Sequence, residues 1–183
     1  MEIGILAGIV TLSAFAFYIK DAVGGKSRPN RATWAIWTVL ALVITASYYA
    51  AGARDTIFAA AAFTLGQASV ALVSIRYGTG GWSIFDRLCL GGAFLGIILW
   101  FASGSALLAL VFAICVDFLG AMPTIKKLLE EPGSESRAAW TVFSLGNLLN
   151  VLAIESWTME IALFPLYFLV VNGIVLALSL RRK

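Results

Sequence analysis

The sequence predicts an all-α polytopic membrane protein with seven transmembrane helices. Three observations carry this: an apolar composition, charges confined to short intervals between apolar stretches, and basic residues that favour alternate intervals. Of 183 residues, 61% are apolar and 13% charged, and the mean hydropathy is +0.93. A water-soluble domain of this size needs a charged coat over its surface. Lipid is the solvent that fits this chain.

A helix crossing roughly 30 Å of hydrocarbon needs about 20 apolar residues, with about 17 as the lower limit. Seven stretches qualify, near 3–19, 33–52, 56–75, 87–102, 105–124, 138–154 and 157–180. The first has only Glu2 as a charge before it. It lacks the basic leader of a cleaved signal peptide and reads as a membrane helix. The second runs from the residues after Arg31 to Gly52, and the third lies between Asp55 and Arg76. The fourth opens at Arg87, and the fifth carries Asp117 within it and ends before Lys126. The sixth is bounded by Arg137 and Glu155, and the seventh ends before Arg181.

Lys and Arg near helix ends are retained on the cytoplasmic side. Twelve of the thirteen basic residues fall on one side of this arrangement, and only Arg54 falls on the other. The split puts the N-terminus outside and the C-terminus in the cytoplasm of a plasma (inner) membrane, and one miscounted helix would abolish it. The net charge of +3 and pI near 9.0 are therefore read as topology determinants, with no nucleic-acid partner. Cys89 and Cys115 lie inside apolar stretches without metal-ligand spacing, and the chain has no histidine. No metal or other cofactor is expected, and His-dependent catalysis is excluded.

A shift of 106 residues aligns Ile19-Lys20 with Ile125-Lys126, Arg31-Ala32 with Arg137-Ala138, Trp34 with Trp140 and Thr38 with Ser144. A shift of 105 then aligns Gln67 with Asn172, Ser74 with Ser179 and Arg76 with Arg181. The flanking polar and aromatic matches predict a repeat: 1–77 and 105–183 as two parallel three-helix bundles, joined by a linker helix within 78–104. Parallel membrane repeats about an axis along the membrane normal are a transporter architecture.

With this 3+1+3 arrangement the chain resembles the SWEET and PQ-loop superfamily. The signature there is a Pro-Gln pair at the cytoplasmic end of the first helix of each triplet, followed by basic residues and a small-residue turn. Met122-Pro123-Thr124-Ile125-Lys126-Lys127, followed by Pro132-Gly133-Ser134-Glu135-Ser136, matches that outline, with Thr124 in place of the glutamine. The first repeat has Phe17-Tyr18 there and lacks the motif. A more specific resemblance is to small bacterial membrane proteins of unknown role. They carry similar runs to Asp86-Arg87-Leu88-Cys89-Leu90 and to the Asp-x-Leu-Gly-x-x-Pro-Thr run from Asp117 to Thr124. The resemblance implies a SWEET-like fold in which amides of each repeat's third helix, here Gln67 and Asn172, line a solute pocket.

Polar groups inside the membrane are costly and seldom persist without a partner or a watery cavity. At about 1.5 Å per residue, Gln67, Asn147, Asn150 and Asn172 fall in one central layer, with Asp117 slightly toward the cytoplasm. These four amides are the expected substrate-binding residues, with Trp37 as an apolar wall and Asp117 as a coupling carboxylate. Trp34 and Trp140, at the starts of helices 2 and 6, read as an interfacial aromatic belt. Pro123 and Pro165 are candidate hinges.

The expected function is alternating-access transport of a polar, uncharged, sugar- or vitamin-like solute through a midplane site. No Walker-type loop is present, so ATP is not expected to drive it. The alternative is a non-transporting sensor or assembly protein acting through cytoplasmic loops. Enzymatic activity is not expected, because a lone Asp117 has no second carboxylate and the serines have no base. The partners are a small solute and the lipid bilayer, with homo-oligomerisation left open.

Overall fold

In hydrocarbon every backbone N–H and C=O must pair within the protein, so apolar stretches of this length become helices. A computed structural model describes residues 1–80, 83–130, 132 and 135–181, apart from the side chains of Phe85, Asp86, Ala93, Pro123, Lys126 and Lys127. Among them are seven α-helices: α1 (Glu2–Val23), α2 (Arg31–Ala50), α3 (Ile57–Tyr77), α4 (Ile84–Ser103), α5 (Ala106–Glu130), α6 (Arg137–Leu152) and α7 (Met159–Ser179). The nearest thing to a strand among the described residues is an isolated bridge between Asn30 and Thr79.

Local chemistry sets several boundaries. Asn30 Oδ1 accepts from the Thr33 N–H at 3.1 Å to start α2, and Ser136 Oγ accepts from the Ala139 N–H at 3.3 Å to start α6. Both caps have extended backbone, as helix-starting residues do. Gly52, at φ +91°, turns the chain out of α2 in a conformation that a side chain would strain. The largest departure from the sequence reading is α5, which runs on from the expected end at 124 to Glu130. Hydropathy falls at Lys126, but the last turn still has an apolar face, and Leu128 is completely buried.

Among the described residues four helices, α1, α2, α3 and α7, are long and apolar enough to cross a membrane. Within α4 and α5 the apolar stretches Arg87–Ser103 and Ala106–Met122 are shorter. Large apolar side chains such as Leu65, Leu72, Ile75, Ile98 and Phe101 stand more than half exposed, as they would against lipid.

The packing is reciprocal. α3 lies against both α1 and α2, and α7 lies against both α5 and α6. Between these groups α1 packs on α6 and α2 packs on α5, while α4 rests on α5 and α2. Gly4 and Gly8 on α1 let the start of α3 come close: a Cβ at Gly4 would run into the Asp55 carbonyl, and one at Gly8 would lie 2.9 Å from the Phe58 carbonyl oxygen. This close approach is the packing role of small residues in membrane helices.

Each end of the molecule is tied by polar contacts. At one end Arg31 Nε donates to the Ser74 carbonyl at 3.0 Å, and Arg137 Nε donates to the Ser179 carbonyl at 2.9 Å. At the other, the Met1 ammonium meets Asp55 at 2.5 Å. Glu155 there accepts from the Arg54 N–H at 2.6 Å and from the Thr56 hydroxyl at 3.2 Å. A carboxylate at the start of α3 complements that helix's positive end.

Candidate functional site

Between α1, α2, α3, α5, α6 and α7 the core does not close, and a cavity of about 40 Å³ remains. It is built in layers. Toward the Met1 end an aromatic floor seals it: Phe63 stacks on Phe143 at 6.0 Å between centroids and packs against Phe168 at 4.7 Å. Phe15 meets Phe143 edge-on at 4.7 Å. Phe15 reaches this position because Gly66 faces it, and a Cβ at Gly66 would lie 2.0 Å from the Phe15 ring.

One helical turn from that floor lies a polar layer. Gln67 follows Phe63 by four residues on α3, and Asn172 follows Phe168 by four on α7, so each amide projects from the same face as the ring before it. Asp117 on α5 completes the layer. All three are at least nine-tenths buried. Asp117 accepts from the Tyr167 hydroxyl at 2.7 Å. Gln67 Oε1 and Asn172 Nδ2 are buried without a partner, and so is the indole nitrogen of Trp37. A buried polar atom without a partner costs about 1–3 kcal/mol, so each is a place where water or a ligand gains by binding. No Lys or Arg is among the described residues lining this cavity.

Trp34, Trp37, Trp140 and Thr124 form the opposite wall. They also line a wider space of about 180 Å³ at the Arg31 end, bordered by Tyr18, Arg28, Asn30 and Glu135. Cavity and vestibule therefore share one tryptophan-lined boundary. At roughly 10–15 Å³ per water, the inner cavity holds about three waters.

Four sequence-stated candidates, Gln67, Asn172, Asp117 and Trp37, line this cavity together, and Asn147 and Asn150 do not. These two are completely buried on the same face of α6 as Phe143, one and two turns beyond it toward the Met1 end. Depth counted along the chain puts them in the central layer, but the Phe143 ring stands between them and the cavity. Asn147 instead donates to the Phe143 carbonyl at 2.9 Å.

The aromatic-belt reading of Trp34 and Trp140 is corrected. They are 5% and 9% exposed and turn inward, Trp34 onto Trp37 and Tyr18, and Trp140 onto Phe143. Their alignment with each other was the sequence signal for an inward role. Tyr167, the partner of Asp117, is the other residue that sequence reasoning missed, since no spacing links two helices separated by a third.

Of the candidate hinges, Pro165 lies inside α7, which continues through it as a helix. Pro123 falls within α5, and its side chain lies outside the described residues. No protein-family model, curated protein or solved structure matches the chain.

Proposed function

We propose that this chain is a small SWEET-like transporter of seven transmembrane helices, carrying a polar solute through the site built on Gln67, Asn172 and Asp117. The observation that carries the reading is that the cavity is lined by residues equivalent under the internal repeat. Trp34 and Trp140, Trp37 and Phe143, Phe63 and Phe168, and Gln67 and Asn172 are pairs offset by 106 or 105 residues, and every member lines the cavity. The same offsets relate the Arg31–Ser74 and Arg137–Ser179 hydrogen bonds. Such pairing is expected of two parallel triplets, 1–77 and 105–183, enclosing a site on their axis, with the helix of 78–104 as linker.

In this reading the basic end is cytoplasmic, with the N-terminus outside. The cavity faces the cytoplasm through the tryptophan-lined vestibule, and the aromatic floor and the Glu155 contacts shut the outer side. Transport requires the triplets to rock, opening the outer contacts as the vestibule closes. Asp117 supplies a group that can carry charge with the solute, so coupling needs no ATP.

Truncating an amide separates this role from a purely structural one. Gln67→Ala and Asn172→Ala are expected to lower solute affinity about tenfold or more while the melting temperature stays within a few degrees. Ligand-dependent thermal stabilisation across sugars, vitamins and amines reads both quantities. Variants that lose stability but bind normally would mark the amides as interhelical struts.

One observation favours the non-transporting alternative. Small-molecule sites usually span about 300–1,000 Å³, and this cavity is far smaller. A sensor or assembly protein working through its cytoplasmic loops needs no solute passage. Solute flux in vesicles separates the two.

A further inference from the structure

We infer that the solute is a small organic amine, held by its ammonium group between Asp117 and Gln67 against aromatic faces. The inference rests on the transporter reading and gives its site a substrate class. It departs from the uncharged solute expected from the sequence, because of the carboxylate.

Two kinds of polar atom stand out in the cavity's lining. Asp117 and the unpartnered Gln67 Oε1 are acceptors. Asn172 Nδ2 and Trp37 Nε1 are unpartnered donors. Among the described residues the Tyr167 hydroxyl is the one hydrogen-bond donor to Asp117, at 2.7 Å, and no described Lys or Arg side chain lines the cavity to neutralise it. An ionised carboxylate buried in hydrocarbon needs a cation or a proton. A sugar supplies neither, whereas an ammonium supplies the charge and several donors, one of them for Gln67.

The walls favour the same ligand. Trp37, Phe63 and Phe168 bound the polar layer on three helices. Indole and phenyl faces attract ammonium groups, more strongly when desolvated. The two remaining donors match a hydroxyl or carbonyl elsewhere on the ligand. The narrow space restricts the ligand to a few heavy atoms, and a short amino alcohol fits each requirement.

The test uses the purified full-length protein with ethanolamine and its uncharged isostere ethylene glycol, with glucose as a larger neutral solute. Binding is read by thermal stabilisation and by tryptophan emission, since Trp34, Trp37 and Trp140 border the cavity. Ethanolamine is expected to bind at least tenfold more tightly than ethylene glycol. Asp117→Asn should erase that preference and Asp117→Glu should keep most of it. The comparison of charged and neutral ligands on the unaltered protein stands even if a variant fails to fold.

Equal affinity for the isosteres, or a preference unchanged in folded Asp117→Asn, would overturn the amine assignment. If ethylene glycol or glucose then bound in a manner dependent on Gln67 and Asn172, the transporter reading would survive. If no compound stabilised the protein or crossed vesicles containing it, both would fall.

Discussion

Pro165 has no N–H to close a helical bond on the carbonyl of Ile161, four residues earlier. The Tyr48 hydroxyl donates to that carbonyl instead, and also lies in hydrogen-bond contact with Thr56 Oγ1 at 2.9 Å. Tyr48 is fully buried, so Tyr48→Phe leaves the Ile161 carbonyl without its partner. The expected loss is about 1–3 kcal/mol. Pro165→Ala restores a helical N–H, so in that background Tyr48→Phe should cost less, a coupling that a double-mutant cycle in chemical denaturation measures. Single residues were legible in the sequence where their chemistry clashed with their surroundings. Gln67, Asn172 and Asp117 stand out as polar groups in apolar helices. Direction was less legible: Trp34 looks inward, yet at a helix start its spacing fits a lipid-facing ring equally well. For Asn147, counting residues recovers depth along an axis and says nothing of a ring in the way.

Helices are fixed by hydropathy, so all seven were visible in the sequence, most of them with ends displaced by a few residues. The larger error, at the end of α5, arises because the helix outlasts the apolar stretch, which hydropathy cannot see. Sockets between helices are a finer matter. Gly66 and Gly173 look alike in sequence, both being glycines beside an amide, one on α3 and the other on α7. A Cβ at Gly66 would clash with the Phe15 ring at 2.0 Å, whereas one at Gly173 meets nothing within 4 Å. Gly66→Ala is therefore expected to destabilise by about 1–3 kcal/mol through overpacking. Gly173→Ala should be neutral, or stabilising by roughly 0.5–1 kcal/mol through helix propensity. Thermal unfolding of the two variants side by side checks this, and equal destabilisation would contradict the packing described for α1 against α3.

For the whole molecule, the contacts at the two ends support the proposed movement of one half against the other. The Met1 end joins the two sequence halves directly: Glu155, after α6, caps α3 through Arg54 and Thr56, and Tyr48 on α2 reaches Ile161 on α7. The Arg31 and Arg137 contacts at the opposite end each stay within one half. Hydrogen bonds thus bridge the halves at one end while a vestibule opens at the other, an asymmetry that fits the proposed transporter in one of its two states. A movement of the halves against each other around the cavity would change the distance across the bridged end. Spin labels at Tyr49 and Trp157, both about 70% exposed, can be placed after Cys89 and Cys115 are replaced. Addition of a stabilising solute should reveal a second, longer distance population, and Glu155→Ala should enlarge that population without solute. A single distance, unchanged by solute and by Glu155→Ala, would rule out the proposed movement of the halves.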